Sequence, residues 1–227
     1  MIRIISLSFS FLLFVGATAS VHADVIYVND DAAAGGDGSS WASAFRYLQD
    51  ALAGAHAGDD LWVTEGTYKP DQGKGKTPGD RTASFALEGA VDLYGGFLGS
   101  ETSPQPLGDH NQTILSGEIA NDSAGWSYHV VSPSGPSLIS GFRITKGNAN
   151  GSSLNDKRGG GLYMHNGRCT LINCVFTKNS ASEIGGGIYA TGPFCTLTNC
   201  VFSGNSSGSW GGAVGIWRTP STLTNCV

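Results

Sequence analysis

The sequence is short of charge. Lys, Arg, Asp and Glu together make up only 14% of its 227 residues, and the balance is −5 at neutral pH. A nucleic-acid surface needs a basic patch, which this balance argues against. An anionic polymer would have to be held by a local basic cluster or a bridging cation. Cysteine is missing before Cys169, and no Cys-x-x-Cys pair or companion His marks a zinc site. Beyond the N-terminus no apolar run approaches the ~20 residues that cross a bilayer as a helix. The low charge is not the signature of disorder, because 40% of the residues are apolar. What is abundant is Gly, at 34 residues, with many Ser, Thr and Asn. That composition suits a turn-rich, stacked β fold.

Residues 1–23 read as a secretory signal peptide. Arg3 supplies the positive start, Ile4 to Val15 the apolar segment, and Val21-His22-Ala23 a cleavage site before Asp24. The apolar segment is too short for a spanning anchor. All five cysteines then face a compartment that permits disulfides. Two readings stand for Cys169, Cys174, Cys195, Cys200 and Cys226: bridges along a stack, or small buried thiols filling a core.

Residues 159–227 repeat themselves. Blocks starting at Gly159, Gly185 and Gly211 align without a gap at a period of 26 residues. A fixed period of this size means units that bury their apolar face only against their neighbours. The apolar runs inside each block are short, such as Leu162-Tyr163-Met164 and Cys174-Val175-Phe176, and too interrupted for a helix. In one straight strand Leu171 and Phe176 would face opposite sides. A bend at Asn173 brings Leu171, Cys174 and Phe176 to the same side, and Asn tolerates the left-handed backbone that such a bend needs. Three strands joined by bends form one turn of a parallel β-helix. Like residues then stack at ~4.8 Å. Leu171, Leu197 and Leu223 form an inner ladder, as do Cys174, Cys200 and Cys226. Asn173, Asn199 and Asn225 stack at the bend, where their amides can bond to one another. A leucine-rich repeat does not fit the Asn-Cys-x-Phe spacing, and the period is too short for a propeller blade.

Upstream, residues 24–68 read as an N-terminal cap and first rung. Val25 to Val28 is a strand, and Ser39 or Ser40 caps an amphipathic helix from near Trp41, with Phe45, Leu48, Leu52 and Ala55 on its apolar face. Gly58-Asp59-Asp60 ends the helix, and Leu61 to Thr64 is the next strand. A terminal helix would plug the open end of the stack. Residues 69–158 read as irregular rungs with long loops. Ile139 to Ile144 match Leu197 to Phe202 position by position, with Gly141 at the bend, so the stack begins before Gly159. The chain stops at Val227 in mid-rung, which reads as a fragment or a truncated frame with rungs, a barrel or a sorting signal missing.

The blocks resemble the repeats of the polymorphic outer-membrane protein family of chlamydiae and other bacteria. That family pairs GGA[ILV] with FxxN tetrapeptides. Gly159-Gly160-Gly161-Leu162, Gly185-Gly186-Gly187-Ile188 and Gly211-Gly212-Ala213-Val214 match the first. Phe176-Thr177-Lys178-Asn179 and Phe202-Ser203-Gly204-Asn205 match the second. The resemblance implies an all-β, right-handed parallel β-helix on an exported bacterial surface protein. It also implies an adhesin-like function, with glycans or host and other cell-surface proteins as partners. Outer-membrane association is implied by the resemblance only, because no barrel is visible in the sequence.

The competing function is a polysaccharide lyase or glycoside hydrolase on the same fold. Such a site needs carboxylates on adjacent rungs to hold Ca²⁺, or paired acids for hydrolysis. The repeats are nearly bare of them. For an enzyme the catalytic candidates are Asp92, Glu118 and Asp122, with Asp80, His110 and His129 nearby in sequence. Asp30, Asp31 and Asp37 lie in a Gly-rich loop where calcium is the one cofactor they could hold, without the spacing of a known calcium loop. Lys74, Lys76 and Arg81 make the loop 69–81 locally basic. Thr170, Thr196 and Thr222 form an outward Thr column, and Asn111-Gln112-Thr113 and Asn150-Gly151-Ser152 match glycosylation sequons.

Overall fold

A computed structural model describes residues 23–103, 112–119, 125–218 and 220–227. Residues 1–22, on which the expected signal peptide falls, lie outside them, as do His110, Asn111 and Asp122. The first strands are β1 (Val25–Val28), β2 (Asp60–Thr64), β3 (Gly66–Tyr68), β4 (Phe85–Leu87) and β5 (Asp92–Phe97). Next come β6 (Thr113–Ser116), β7 (Val131–Pro133), β8 (Pro136–Ser140), β9 (Arg143–Thr145) and β10 (Asn148–Ala149). The repeats supply β11 (Leu162–His165), β12 (Arg168–Ile172), β13 (Val175–Thr177), β14 (Ser180–Ala181) and β15 (Ile188–Thr191). They continue with β16 (Phe194–Thr198), β17 (Val201–Ser203), β18 (Ser206–Ser207), β19 (Val214–Trp217) and β20 (Ser221–Thr224).

These strands form four sheets in which neighbours run parallel. Sheet A has the order β1-β2-β5-β8-β12-β16-β20, and sheet B the order β3-β6-β9-β13-β17. Sheet C runs β4-β7-β11-β15-β19, and sheet D β10-β14-β18. From β11 onward the chain visits sheets C, A, B and D, then returns to C one strand further along. This arrangement is compatible with a parallel β-helix.

The corner between sheets A and B is made by a single residue in the left-handed state. Asn173, Asn199 and Asn225 have φ of 53°, 54° and 52°, and Gly141 holds the same place one turn earlier at 79°. Only Gly and, less often, Asn adopt this backbone cheaply. The Asn side chains then bond along the stack: Asn199 Nδ2 donates to Asn173 Oδ1 at 3.1 Å, and Asn225 Nδ2 to Asn199 Oδ1 at 3.2 Å. At the repeat start a different constraint acts. A Cβ on Gly160 would collide with the Ser180 carbonyl of the adjoining strand.

The interior is built from columns. Leu93, Ile139, Leu171 and Leu197 lie side by side in sheet A with no exposure. In sheet B, Ile144 and Phe176 are likewise unexposed, and the partly buried Phe202 stacks on Phe176 at 5.2 Å. Each such side chain stabilises by roughly 1.5–3 kcal/mol relative to exposure. The Leu column ends differently from the expectation: Leu223 pairs in register with Leu197 but is 50% exposed, and Cys226 is only half-buried. Among the described residues β20 has a strand neighbour on one side only, so nothing covers Leu223.

A second Asn column lies inside. Asn179 is 1% exposed. Its Nδ2 donates to the Ile144 carbonyl at 2.9 Å and to Asn205 Oδ1 at 3.1 Å, and its Oδ1 accepts from the Gly147 amide at 3.0 Å. It satisfies backbone groups at a corner where the sheets supply no partner.

The N-terminal helix is shorter than the sequence pattern indicates. Ser40 does cap a turn, its Oγ accepting from Ser43 N, but that turn is a 3-10 helix over Trp41–Ser43. The chain then leaves helical geometry at Ala44 because Phe45 docks beside β1, exchanging hydrogen bonds with Tyr27 and Asn29. Phe45 is therefore an edge residue, not part of a helix face. The α-helix α1 spans Leu48–Gly54, buries Leu48 and Ala51, and ends before Ala55 and well before Gly58. Gln49 anchors it, donating to the carbonyls of Pro70 and Ser84.

His129 links sheet C to the first Gly triplet. Its Nδ1 donates to the Gly159 carbonyl at 3.0 Å, and its ring stacks on Tyr163. Burial pushes its pKa below the ordinary 6.5, against the opposing pull of that hydrogen bond.

Two measurements test these columns. Asn179→Ala orphans the buried Gly147 amide and Ile144 carbonyl and is expected to cost roughly 3 kcal/mol in denaturant unfolding, at about 1–3 kcal/mol per orphaned group. Asn173→Gly, at the exposed bend, should cost less than about 1 kcal/mol, since Gly adopts the same φ without strain. For His129 the unfolded chain takes up a proton that the native state resists. Stability should therefore be full above the ordinary His pKa and fall as pH drops below about 6.5 towards the lowered native value. His129→Phe should flatten that part of the Tm–pH curve.

Candidate functional site

Sheet B turns one row of each strand inward, and the rows on either side lie on its outer side, where Ser116 and Thr145 are nonetheless buried. The first outward row is Thr67, Ile114, Arg143, Val175 and Val201, in register across five strands. The second is a row of hydroxyls: Ser116, Thr145, Thr177 and Ser203. Thr145 Oγ1 donates to the Thr177 carbonyl at 2.7 Å, and Thr177 Oγ1 reaches Thr145 Oγ1 at 3.2 Å. Immediately beyond lies the corner leading to sheet D, with Lys146, Lys178 and Gly204 at φ of 60°, 54° and 64°. Lysine seldom adopts this backbone, so the corner imposes it.

Thr67, Ile114 and Arg143 of the first row, with the second row and this corner, line an open groove of about 490 Å³. Three cations line it, Arg143, Lys146 and Lys178, against a single described carboxylate, Glu118. Lys146 Nζ lies 2.6 Å from Glu118 Oε2 and 5.9 Å from the Trp126 ring centroid. The Lys146 hydrogen bond holds the Glu118 carboxyl below its ordinary pKa, with smaller attractions from Lys146 and Lys69 charge. Arg143 Nε is buried with no hydrogen-bond partner among the described residues. The groove can thus offer hydroxyls that donate and accept, and cations that bind acid groups, at the ~4.8 Å spacing of the strands.

The acids singled out from sequence are dispersed. Asp92 is on β5 of sheet A, where its Oδ1 accepts from Leu138 N at 2.7 Å, whereas Glu118 follows β6 of sheet B. Asp92 sits in register with Asp60. Burial raises the Asp60 pKa, with smaller contributions from Asp92 and Asp59. Burial, with the charges of Asp60 and Asp92, pushes the Tyr94 hydroxyl up to about 12. Asp80 caps its own turn at Thr82. Asp30 accepts from the Thr67 amide, Asp37 from Ser39, and the Asp31 amide donates to Asn29. No group of three or more His, Cys, Asp or Glu side chains gathers to hold a metal among the described residues. In the loop 69–81, Arg81 is a tie: its Nε donates to the Trp126 carbonyl and its guanidinium lies 4.4 Å over the Tyr128 ring.

The five cysteines are free thiols. Burial pushes the Cys195 thiol up to about 12 and Cys169 well above its ordinary value. The neighbouring Cys200 thiol and burial do the same to Cys174. Thr170, Thr196 and Thr222 align on the outer side of sheet A.

The groove was not identified from sequence. Thr177 and Ser203 fall at the same place in two matching blocks, and Thr145 precedes Thr177 by 32 residues instead of 26, because a longer loop intervenes. The recoverable signal was the pairing of Phe176-Thr177-Lys178 with Ile144-Thr145-Lys146, an apolar, hydroxyl and lysine triplet.

The fold is a stack of short parallel strands built from a repeated corner. Residues 173–191 and 199–215 match the Chlamydia polymorphic membrane protein (Chlamydia_PMP) repeat. The matched segments include both FxxN corners and the small-residue run after each, Gly185-Gly186-Gly187 in the first and Gly211-Gly212-Ala213 in the second. This repeat points to a surface-exposed bacterial protein, in a family of surface or outer-membrane proteins. No curated protein matches the chain. Among the described residues no helix is long and apolar enough to cross a membrane.

Lys178 and Arg143 can be replaced by the residues that occupy their columns on adjoining strands. Lys178→Gly copies Gly204, and Arg143→Val copies Val175. Both variants should fold normally. Lys178→Gly is expected to gain up to about 1 kcal/mol in urea unfolding, by relieving the left-handed backbone.

Proposed function

We propose that this chain is an exported, adhesin-like surface protein that is not an enzyme. It would hold its target on the outer face of a right-handed parallel β-helix and on the loops upstream. The observation that carries the reading is the groove of sheet B, a surface of in-register hydroxyls and cations that extends into the matched repeat at Thr177, Lys178, Ser203 and Gly204. The handedness follows the general rule that parallel crossover connections are right-handed in about 98% of cases. In this reading α1 closes the N-terminal end of the stack, burying Leu48 and Ala51 beside β1 and β4. Residues 1–23 direct export and are removed. The separation of Asp92 and Glu118 onto different sheets supports a binding role over paired-acid hydrolysis, because hydrolysis needs two carboxylates across one bond.

The test is export followed by binding. The full chain, expressed in a bacterium with a C-terminal epitope tag, should yield a product whose N-terminus is Asp24. Protease added to intact cells should remove the tag, and purified chain should bind target cells saturably. An uncleaved product kept inside the cell, or binding that never saturates, would overturn the reading.

A further inference from the structure

We propose that the sheet B groove binds an acidic polysaccharide: a linear glycan whose sugars carry carboxylate or sulfate groups, lying across the strands. The inference rests on the adhesin-like reading and names its ligand class. Successive strands repeat the same pair of groups, a hydroxyl from the Ser116–Thr145–Thr177–Ser203 row, in which Thr177 and Ser203 are the accessible members, and a corner residue that is Lys at two consecutive positions. A linear glycan is a ligand with that periodicity. Its hydroxyls exchange hydrogen bonds with the Ser/Thr row, and its acid groups meet Lys146, Lys178 and Arg143. The guanidinium suits oxyanions best, because its planar donors match their geometry.

Charge selects among ligands. The whole protein carries −5, yet this groove has three cations facing one described carboxylate, which Lys146 already engages. Lys178 is exposed, and no ion pair to it is found among the described residues. The buried, unpartnered Arg143 Nε is a donor that a ligand oxygen would satisfy. A neutral glycan would leave these cations unused. Single-stranded nucleic acid is a poorer fit, because stacking platforms for bases are aromatic and no aromatic side chain among the described residues lines the groove. A peptide needs apolar anchor pockets, and among the described residues Ile114 is the lone large apolar group lining the groove.

The purified exported chain is titrated calorimetrically with oligogalacturonate for carboxylate, heparin oligosaccharide for sulfate, dextran as neutral glycan, and single-stranded RNA. At least one acidic glycan should bind, with affinity falling about tenfold or more when salt is raised from low to high ionic strength. Which of the two binds identifies the acid group. The double variant Arg143→Val/Lys178→Gly, checked for a native unfolding transition, should lose about tenfold or more. Lys76→Ser, outside the groove, should bind as the native chain does. Equal binding of dextran, tighter binding of RNA, no binding of either acidic glycan, or native affinity in the double variant would each overturn the inference. If cells are still bound saturably by that variant, the adhesin-like reading survives and the groove assignment alone fails.

Discussion

The structure depends on a left-handed corner recurring at the same place in four successive circuits. Asn173, Asn199 and Asn225 turn the chain from sheet A into sheet B with nearly identical φ, and Gly141 does so one circuit earlier. Because the corner consumes one residue, the strand before it and the strand after it both present their apolar side chains to the same interior. If that residue were extended, Leu171 and Phe176 would face opposite sides and no core could form. The parallel backbone ladder then holds the corners in register, and the exposed Asn amides bond along the stack.

A second left-handed corner, at Lys146, Lys178 and Gly204, shapes the surface. Its position just beyond the hydroxyl row sets lysines beside Ser and Thr. The interior of that corner is held by Asn179 and Asn205, whose amides bond to backbone groups left unpaired where the chain turns from sheet B to sheet D. One corner therefore has a buried polar column inside and a charged rim outside. The buried amides stiffen the turn, and the rim gives the groove its positive character in a protein that is acidic overall.

The repeat from Gly159 onward was readable because every constraint recurs with the same spacing. Asn at the bend, the apolar alternation about it and the crowded Gly triplet each have a local cause. Upstream the same physics applies at irregular spacing. Ile139 to Ile144 could be matched only because the corner there is Gly, the other residue suited to a left-handed turn. The helix start was misplaced because Ser40 caps whatever turn follows it, whereas the return of Phe45 to the edge of β1 depends on a partner strand distant in the chain's path. The buried role of Asn179 was hidden for a similar reason. Its partners, Gly147 and Ile144, lie more than thirty positions earlier in the chain. The groove escaped notice because Arg143, Lys146 and Lys178 look like scattered surface charges until loops of unequal length are removed.

The sequence by itself determined the period, the bends and which residues point inward, because these follow from backbone sterics and apolar alternation within a few neighbouring residues. Only the tertiary structure decided where Asp92 and Glu118 stand and that hydroxyls and cations from different circuits converge on sheet B. Those outcomes depend on which strand lies beside which, and the length of each intervening loop, not the chemistry of any single residue, sets that alignment.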